Sequence, residues 1–328
     1  MPQVRINPGR IKKVAELLKN EKVGDPLNFY SVRGKDGSEI VLSDMYPPLD
    51  TPYIHDFFWF AVMHQFGFWR DDGEKYTQPL YGTLNEKKLK GSDLLWRLIF
   101  RACAKNPERF TPVGLRTMAR DEFLVMFSDD DGPVSLLATE ERYQLTLEYG
   151  GWFLLGDHTP DKLIAIAQVA KDPAATMLRM LQSIPGYKED PLAKKALLLL
   201  MVETNRPEHF INPEAGFVWP PVIDYHLMRI ALRLGLITLS PEWRKQNTQR
   251  LFISGDHERK IRHAVYDAIT LLIRFSGRTM SEIDALLWLL GRKSCLEMEE
   301  PRCSSCVLEK VCVKRTTLFQ PVYRTTAY

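Results

Sequence analysis

Residues 177–202 read MLRMLQSIPGYKEDPLAKKALLLLMV and contain two apolar helical patterns separated by the tetrapeptide IPGY. Pro185 interrupts a helix and Gly186 allows a tight turn. Apolar side chains repeat at helical spacing on both sides of that turn. The stretch therefore predicts two closely packed helices in the pattern of a helix–hairpin–helix. A turn of this kind can also join the helices of any helical hairpin, so other parts of the chain must support the interpretation.

Helical periodicity also dominates the rest of the chain, beginning with an apolar stripe at Ile11, Val14, Ala15 and Leu18. One stretch differs: in NFYSVRGKDGSEIVLS, residues 28–43, two β-prone arms flank GKDG and predict a β-hairpin. We expect a mainly α protein in two lobes with this small N-terminal hairpin. The expected domains are a mostly helical lobe with an aromatic-rich helix over residues 1–160, a helix–hairpin–helix lobe over 161–290, and a cysteine loop with a tail over 291–328.

Length and charge set broad limits on function. The 328 residues, 45% of them hydrophobic, are enough to bury a full core. A net charge of +3 permits nucleic-acid binding without requiring it. The opening MPQVRINPGR lacks the apolar stretch of a signal peptide, and the apolar run at residues 196–202, which no other run exceeds, is too short to span a bilayer. We expect a cytoplasmic monomer with no membrane partner.

Four cysteines crowd residues 295–312, CLEMEEPRCSSCVLEKVC, in the spacing C-x7-C-x2-C-x5-C: Cys295, Cys303, Cys306 and Cys312. Four thiolates this close can hold a [4Fe–4S] cluster or a zinc ion. A zinc ribbon would more often offer two CxxC pairs, and here there is one, so iron–sulfur is favoured and zinc is the alternative. Four buried thiols or two disulfides suit the polar neighbours of these cysteines less well. The cysteine usage predicts a reducing compartment.

The segment PPVIDYHLMRIALRLGLI, residues 220–237, predicts a helix that begins after Asp224. Asp224 can cap it, and Gly235 is a natural stop. Leu227, Ile230, Ala231 and Leu234 fall at i, i+3, i+4 and i+7 and predict one buried face. Taken alone, Asp224 has the features of an ordinary N-cap.

The order of these pieces is more specific than any one of them. An IPGY hairpin, a helix with Lys194 and Lys195, an aspartate opening the next helix and a four-cysteine loop resemble the helix–hairpin–helix DNA glycosylase superfamily. The cysteine loop resembles that of the endonuclease III and adenine-mismatch glycosylase branch, with a first spacer one residue longer than usual. The resemblance implies that Asp224 is the shared catalytic carboxylate. It also implies that Lys194, or as second choice Lys195, matches the Schiff-base lysine. The alternative for both lysines is solvated surface.

A second resemblance covers residues 9–290. GRIKKVAELL, the aromatic run ending QFGFW, EERYQLTLEYGGWFL, the IPGY segment, IDYHLMRIALRLGLI and RKIRHAVYDAITLLI are similar, in order, to the queuosine-salvage glycosidase family. That family resembles DNA glycosylases in fold and hydrolyses queuosine 5′-phosphate to release queuine. The resemblance implies a catalytic role for Asp224, a substrate contact for Tyr225, and a base-stacking pair in Phe68 and Trp69.

The chain departs from this family at three places. Gln65 replaces an asparagine, His226 replaces an arginine, and the four-cysteine tail is not a usual part of the family. Because it lies near Asp224, His226 stays a candidate substrate-binding residue. The chain resembles a divergent, cluster-bearing relative whose substrate can differ.

Three functions remain open from the sequence. The first is a glycosidase acting on a modified purine or deazapurine nucleotide, in which a carboxylate stabilises the positive charge that builds on the sugar. The second is a DNA-repair glycosylase, with lyase chemistry if a lysine attacks the sugar. The third is a non-catalytic, cluster-stabilised binding protein. The hairpin has no second glycine, and Glu189 and Asp190 would oppose a phosphate, which favours a small nucleotide over DNA as partner. We expect the cluster to be structural.

Overall fold

The computed structural model describes residues 3–21 and 26–328, and its contacts divide the chain into two units. Unit 1 comprises Met1–Pro26, Asp71–Gln78 and Val218–Tyr323, and unit 2 comprises Leu27–Arg70, Pro79–Phe217 and Arg324–Tyr328. These boundaries differ from those predicted after residues 160 and 290. Periodicity is a local pattern, so it does not record which distant segments of a chain pack together.

The prediction of a mainly α protein is confirmed. The described residues form thirteen α-helices: α1 Pro8–Leu18, α2 Ile54–Met63, α3 Ser92–Lys105, α4 Pro112–Arg116, α5 Arg120–Met126, α6 Thr139–Leu155, α7 Pro160–Gln168, α8 Pro173–Leu181, α9 Lys194–Asn205, α10 Tyr225–Leu234, α11 Pro241–Thr248, α12 Gly255–Ser276 and α13 Met280–Lys293. Within residues 3–21 and 26–328, every helix is too short or too polar to traverse a lipid bilayer.

The strands are short, and most of them were not predicted. They are β1 Val4–Ile6, β2 Ser31–Arg33, β3 Glu39–Val41, β4 Trp69–Asp71, β5 Tyr76–Pro79, β6 Tyr81–Leu84, β7 Lys87–Lys90, β8 Ser128–Asp129, β9 Gly132–Pro133 and β10 Ile237–Leu239. The predicted hairpin is confirmed, because β2 pairs antiparallel with β3. Pairs of two to four residues leave too few alternating positions to be recognised from sequence.

Unit 1 is organised around α10 and α12. The helix α12 packs against α1 and α10, α10 packs against α13, and β1 pairs antiparallel with β10. The predicted features of α10 are confirmed: Asp224 is its N-cap, and Gly235 ends it with a φ of 76°. Its predicted apolar face is buried, as is that of α1.

Unit 2 is built on the aromatic helix α2, which packs against α3, α7 and α9. Phe57, Phe58, Trp59 and Phe60 are at most 1% exposed, so this part of the aromatic run is core. The helix ends at Met63, although the sequence predicts a helical stretch that continues toward Trp69. The residues that follow leave the helix because buried cationic side chains bind their carbonyl groups, as described below.

The connection between α8 and α9 is longer than the predicted four-residue turn and covers residues 182–193. The two helices pack against each other as predicted. The Asp190 carboxylate delays the start of α9 by accepting the backbone N–H groups of Leu192 and Lys194 at 3.0 and 2.7 Å. Gly186 adopts a φ of 93° in this connection.

Gly186 provides a test of this connection. In Gly186→Ala the new Cβ would lie 2.3 Å from Met63 Cγ at a left-handed backbone position, so we expect both strain and overpacking. Gly216→Ala is the matched control, with a φ of 82° and open space around its Cβ. The control should lose about 1 kcal/mol of the free energy of unfolding, and Gly186→Ala about 1–3 kcal/mol more. Equal losses in urea unfolding would contradict the close approach to Met63.

Candidate functional site

The Asp224 side chain is held at the start of α10. One carboxylate oxygen, Oδ1, accepts the Leu227 N–H at 2.9 Å, which is an N-cap hydrogen bond. Asp224 is only 9% exposed, so it is a buried acidic group and does not point into bulk water. Its position at a helix N-terminus favours negative charge there.

His226 pairs with the other carboxylate oxygen of Asp224. Its Nδ1 lies 3.1 Å from Asp224 Oδ2, and its ring centroid is 4.2 Å from that of Tyr225. Burial lowers the pKa of the imidazole below its usual value, although the neighbouring Asp224 carboxylate works in the opposite direction. The side chain is therefore a neutral imidazole that shares a buried site with a carboxylate.

The residues around this pair fix the ring. A Cβ added at Gly291 of α13 would lie 3.2 Å from both Cβ and Cδ2 of His226, so the glycine makes room for the imidazole.

Burial raises the pKa of the Tyr225 phenol well above its usual value, helped by the nearby acidic Glu297 and Asp224. Tyr225 is thus a neutral hydroxyl group beside the acid.

The same helix reaches the cysteine loop with two buried arginines. Arg229 donates to Gln320 Oε1 and to the Gly291 carbonyl, both at 2.8 Å. Arg233 donates to the carbonyls of Leu296 at 2.6 Å and Leu318 at 2.7 Å. Helix α10 therefore presents Asp224 at its start and binds the cysteine loop along its length.

All four predicted cysteine ligands line one cavity, together with the apolar residues Ile230, Leu234, Leu290 and Leu308. Each of the four is partly buried. Burial raises the pKa of the Cys306 and Cys312 thiols, and the other cysteines of the group add to this effect. The four thiols therefore influence one another electrostatically. If all four lost their protons, the thiolates would need a positively charged centre to stabilise them.

Two N–H groups already point at these sulfurs. Arg233 Nη1 lies 3.4 Å from Cys295 Sγ, and the Lys314 backbone N–H lies 3.2 Å from Cys312 Sγ. Donors of this kind surround the sulfurs of iron–sulfur centres and adjust their potential.

A zinc ion and a [4Fe–4S] cluster place different demands on the four sulfurs. A zinc ion would draw the four sulfurs to within about 4 Å of one another, because each Zn–S bond is about 2.3 Å long. Within the described part of the chain, no group of three or more His, Cys, Asp or Glu side chains is arranged to hold one metal ion. A [4Fe–4S] cluster takes one thiolate per iron. Both the cluster and the zinc alternative stay predictions.

The remaining predicted site residues belong to unit 2. Phe68 and Trp69 are 6% and 8% exposed. Phe68 packs against Gly91, where an added Cβ would lie 3.1 Å from Phe68 Cβ, and Trp69 begins β4. Unit 1 thus contains Asp224, Tyr225, His226 and the cysteines, and unit 2 contains the aromatic pair and Lys194.

Lys194 and Lys195 are not solvated surface, so that alternative is wrong. They are 7% and 1% exposed. Lys194 Nζ donates to the Gln65 carbonyl at 2.9 Å, and Lys195 Nζ donates to the Met63 carbonyl at 3.0 Å. Both ammonium groups therefore bind the chain where it leaves α2.

Sequence reasoning missed a third cation at this place. Arg142 of α6 is fully buried and donates to the carbonyls of His64, at 2.7 Å, and Phe66. Its guanidinium lies 3.7 Å from the centroid of the Phe66 ring. One signal was present in the sequence: Arg142 lies on the same helical face as the buried Leu145 and Tyr149, where a charged residue is unexpected.

Comparison with known proteins adds no assignment. No protein-family model matches the chain, and neither does any curated protein. The resemblances drawn from its motifs therefore stay predictions, and the chemistry of the site has to be argued from its own residues.

The cysteine cavity leads to a spectroscopic prediction. Protein purified without oxygen should be brown and absorb in the iron–sulfur charge-transfer region, with iron and acid-labile sulfide in equal amounts. Cys306→Ser should lose this absorbance, since it removes one of four ligands. Cys103→Ala, at a buried cysteine of α3 outside the loop, is the matched control and should keep it. A colourless protein containing zinc would contradict the cluster.

Lys195 leads to a prediction about stability and pH. Burial lowers the pKa of its amine to about 7 in the folded protein, whereas an unfolded lysine titrates near about 10.4. Between these values the unfolded chain binds more protons, so the wild type should gain stability relative to Lys195→Met as pH rises from 7 to 10. The slope should be at most about 1.4 kcal/mol per pH unit.

Urea unfolding at several pH values measures this difference. Lys188→Met, at an exposed lysine of the same segment, is the matched control and should parallel the wild type. If the difference in the free energy of unfolding between the wild type and Lys195→Met does not change with pH, burial does not lower the pKa of the Lys195 amine.

Proposed function

We propose that this protein is an N-glycosidase that cleaves the base–sugar bond of a modified purine or deazapurine nucleotide, with queuosine 5′-phosphate as the first substrate to test. The observation that carries the proposal is the buried carboxylate of Asp224, capped by the Leu227 N–H and paired with His226. A fixed, negatively charged group is what an oxocarbenium-like transition state requires near the anomeric carbon.

The geometry of Asp224 favours stabilising a cation over donating a proton. Both oxygens face an N–H donor, from Leu227 and from the His226 ring, and such bonds favour the ionised form. We assign to Tyr225 and His226 the neighbouring substrate contacts. The stacking role of Phe68 and Trp69 stays a prediction of the resemblance.

The hairpin argues for a small substrate over duplex DNA. In phosphate-binding hairpins, backbone N–H groups are free to face the phosphate. Here the Gly186 N–H is bound by its own neighbour, the Glu189 carboxylate, at 2.9 and 3.1 Å. The Asp190 carboxylate takes the next N–H groups along the chain, those of Leu192 and Lys194. Internal carboxylates thus occupy the positions that a phosphate would need.

The lysines give little support to lyase chemistry, because the Nζ atoms of Lys194 and Lys195 are both buried and donate to backbone carbonyls, even though burial lowers the pKa of Lys195 to about 7. A Schiff-base lysine needs a neutral amine that is free to attack the sugar. The Lys194 Nζ donates to the Gln65 carbonyl in the segment that follows α2. The DNA glycosylase with lyase activity therefore ranks second.

Cys295, Cys303, Cys306 and Cys312 would hold the iron–sulfur cluster in this proposal. The cluster would supply a rigid, positively charged centre that fastens residues 295–312 to α10. Because the side chains that act on the substrate are Asp224 and its neighbours, the cluster has a structural role.

The test is a product assay on queuosine 5′-phosphate beside a panel of duplexes that contain damaged bases. The wild type should release a free base from the nucleotide. Asp224→Asn should keep the N-cap, since asparagine caps as well as aspartate, and should lose turnover by about 10²-fold or more. Asp172→Asn, at the N-cap of α8, is the matched control and should keep full activity.

The duplex arm separates the alternatives. Cleavage of a damaged duplex, with strongly salt-dependent affinity, would replace the nucleotide hypothesis by DNA repair. Correct folding with no base release from any substrate would leave a binding protein. Full activity of Asp224→Asn would remove this residue from the reaction.

A further inference from the structure

The resemblances imply no chemical role for a histidine at position 226, because the queuosine-salvage family has an arginine there. The ring is 7% exposed and its Nδ1 lies 3.1 Å from Asp224 Oδ2. A carboxylate has no hydrogen to donate, so the hydrogen between these atoms belongs to the imidazole. The neutral ring then has its lone pair on Nε2.

This is the arrangement in which a carboxylate fixes the tautomer of a general base. The ring cannot turn freely, because it stacks on Tyr225 at 4.2 Å, packs against Gly291 and lies 6.5 Å from the Trp288 ring centroid. The direction of Nε2 is therefore set by the fold. A neutral imidazole with a fixed Nε2 is suited to accept a proton from a bound water.

We propose that His226 is the general base of the glycosidase reaction, with Asp224 holding its Nδ1–H. The inference rests on the proposed function and divides the work between two residues: Asp224 stabilises the sugar cation and His226 activates the water.

The step balances as follows. The bond between the anomeric carbon and the base nitrogen breaks, and its electron pair goes to the nitrogen. The water oxygen forms the new bond to the anomeric carbon while one of its protons moves to His226 Nε2. That proton then passes to the departing nitrogen or to solvent, so His226 and Asp224 end the cycle as they began it. No oxidant or further reactant is required.

The charged groups around the ring determine its pH dependence. Asp224 and Glu297 favour the protonated imidazole, whereas burial and Arg229 favour the neutral form. Arg262 of α12 donates to the Ile223 carbonyl next to Asp224, and Arg292 of α13 acts on the adjacent Tyr225. Burial is the largest effect, so the neutral base persists to a pH below the usual range of histidine. Activity should therefore fall as the pH drops below the pKa of His226 and should stay constant at higher pH.

The test compares base release by the wild type, His226→Gln and His226→Ala across pH 4.5–8.5, with folding checked by circular dichroism. Glutamine can still donate a hydrogen bond to Asp224 but cannot act as a base. We expect His226→Gln to lose about 10²-fold or more in kcat and to lose the acid limb of the profile, with KM little changed. His226→Ala should be no more active, and added imidazole should partly restore it.

A second variant covers the case in which these substitutions disturb the fold. Gly291→Ala keeps the imidazole but displaces it, so kcat should fall while the acid limb persists. Nitrogen-15 NMR of the histidine ring adds a measurement that does not depend on turnover. It should find the Nδ1–H tautomer in the wild type and the Nε2–H tautomer in Asp224→Asn, where the amide can donate to Nδ1.

The outcomes distinguish the role of His226 from the glycosidase activity itself. Base release by the wild type together with a fully active His226→Gln, or with an unchanged acid limb, would overturn the role of His226 and leave the glycosidase standing. An Nε2–H tautomer in the wild type would overturn it as well. Absence of base release by the wild type would overturn the proposed function and this inference with it.

Discussion

Four consecutive carbonyl groups, those of residues 63–66, are bound by three buried basic side chains, Lys194, Lys195 and Arg142, and unit 2 depends on this interaction. The C-terminal end of α2 is the negative end of its dipole, which positive charge stabilises. Burying basic side chains is costly unless each of them is hydrogen-bonded. Here the backbone carbonyl groups at the end of the helix supply the acceptors. The aromatic helix therefore ends at Met63, and residues 64–68 form an irregular segment that leads into β4 at Trp69. Substituting any of these side chains would leave carbonyl groups buried without a partner.

In unit 1, buried basic side chains also bind backbone carbonyl groups. Arg229 and Arg233 project from α10 and bind carbonyls of α13 and of the cysteine loop, so residues far apart in sequence are tied to one helix. Because Asp224 caps that helix, the position of the acidic group and the position of the cysteines depend on one rigid element. A cluster in the cysteine loop would thus support the site through α10, without taking part in the chemistry.

Internal charge compensation also separates the two glycosylase-like interpretations. A phosphate-binding hairpin offers its backbone N–H groups to the phosphate, whereas here the carboxylates of Glu189 and Asp190 accept hydrogen bonds from them. A weak net positive charge and acidic side chains at this place are better suited to a small nucleotide. In the enzyme that we propose, Asp224 would stabilise the sugar cation and His226 would act as the base, within one turn of helix.

The sequence by itself determined most of the local features: the majority of the helices in both units, the β2–β3 hairpin, the cap at Asp224 and the spacing of the four cysteines. These depend on periodicity and on contacts between residues close in the chain, which a sequence displays directly. The tertiary structure decided the division into two discontinuous units, the burial of Lys194 and Lys195, the role of Arg142 and the path of residues 64–69. It also decided how His226 meets Asp224, since a spacing of two residues does not bring side chains together on a helix and the cap geometry does. The physical reason is that a buried polar group is satisfied by whichever partner the fold brings near it, and that partner can be more than a hundred residues away.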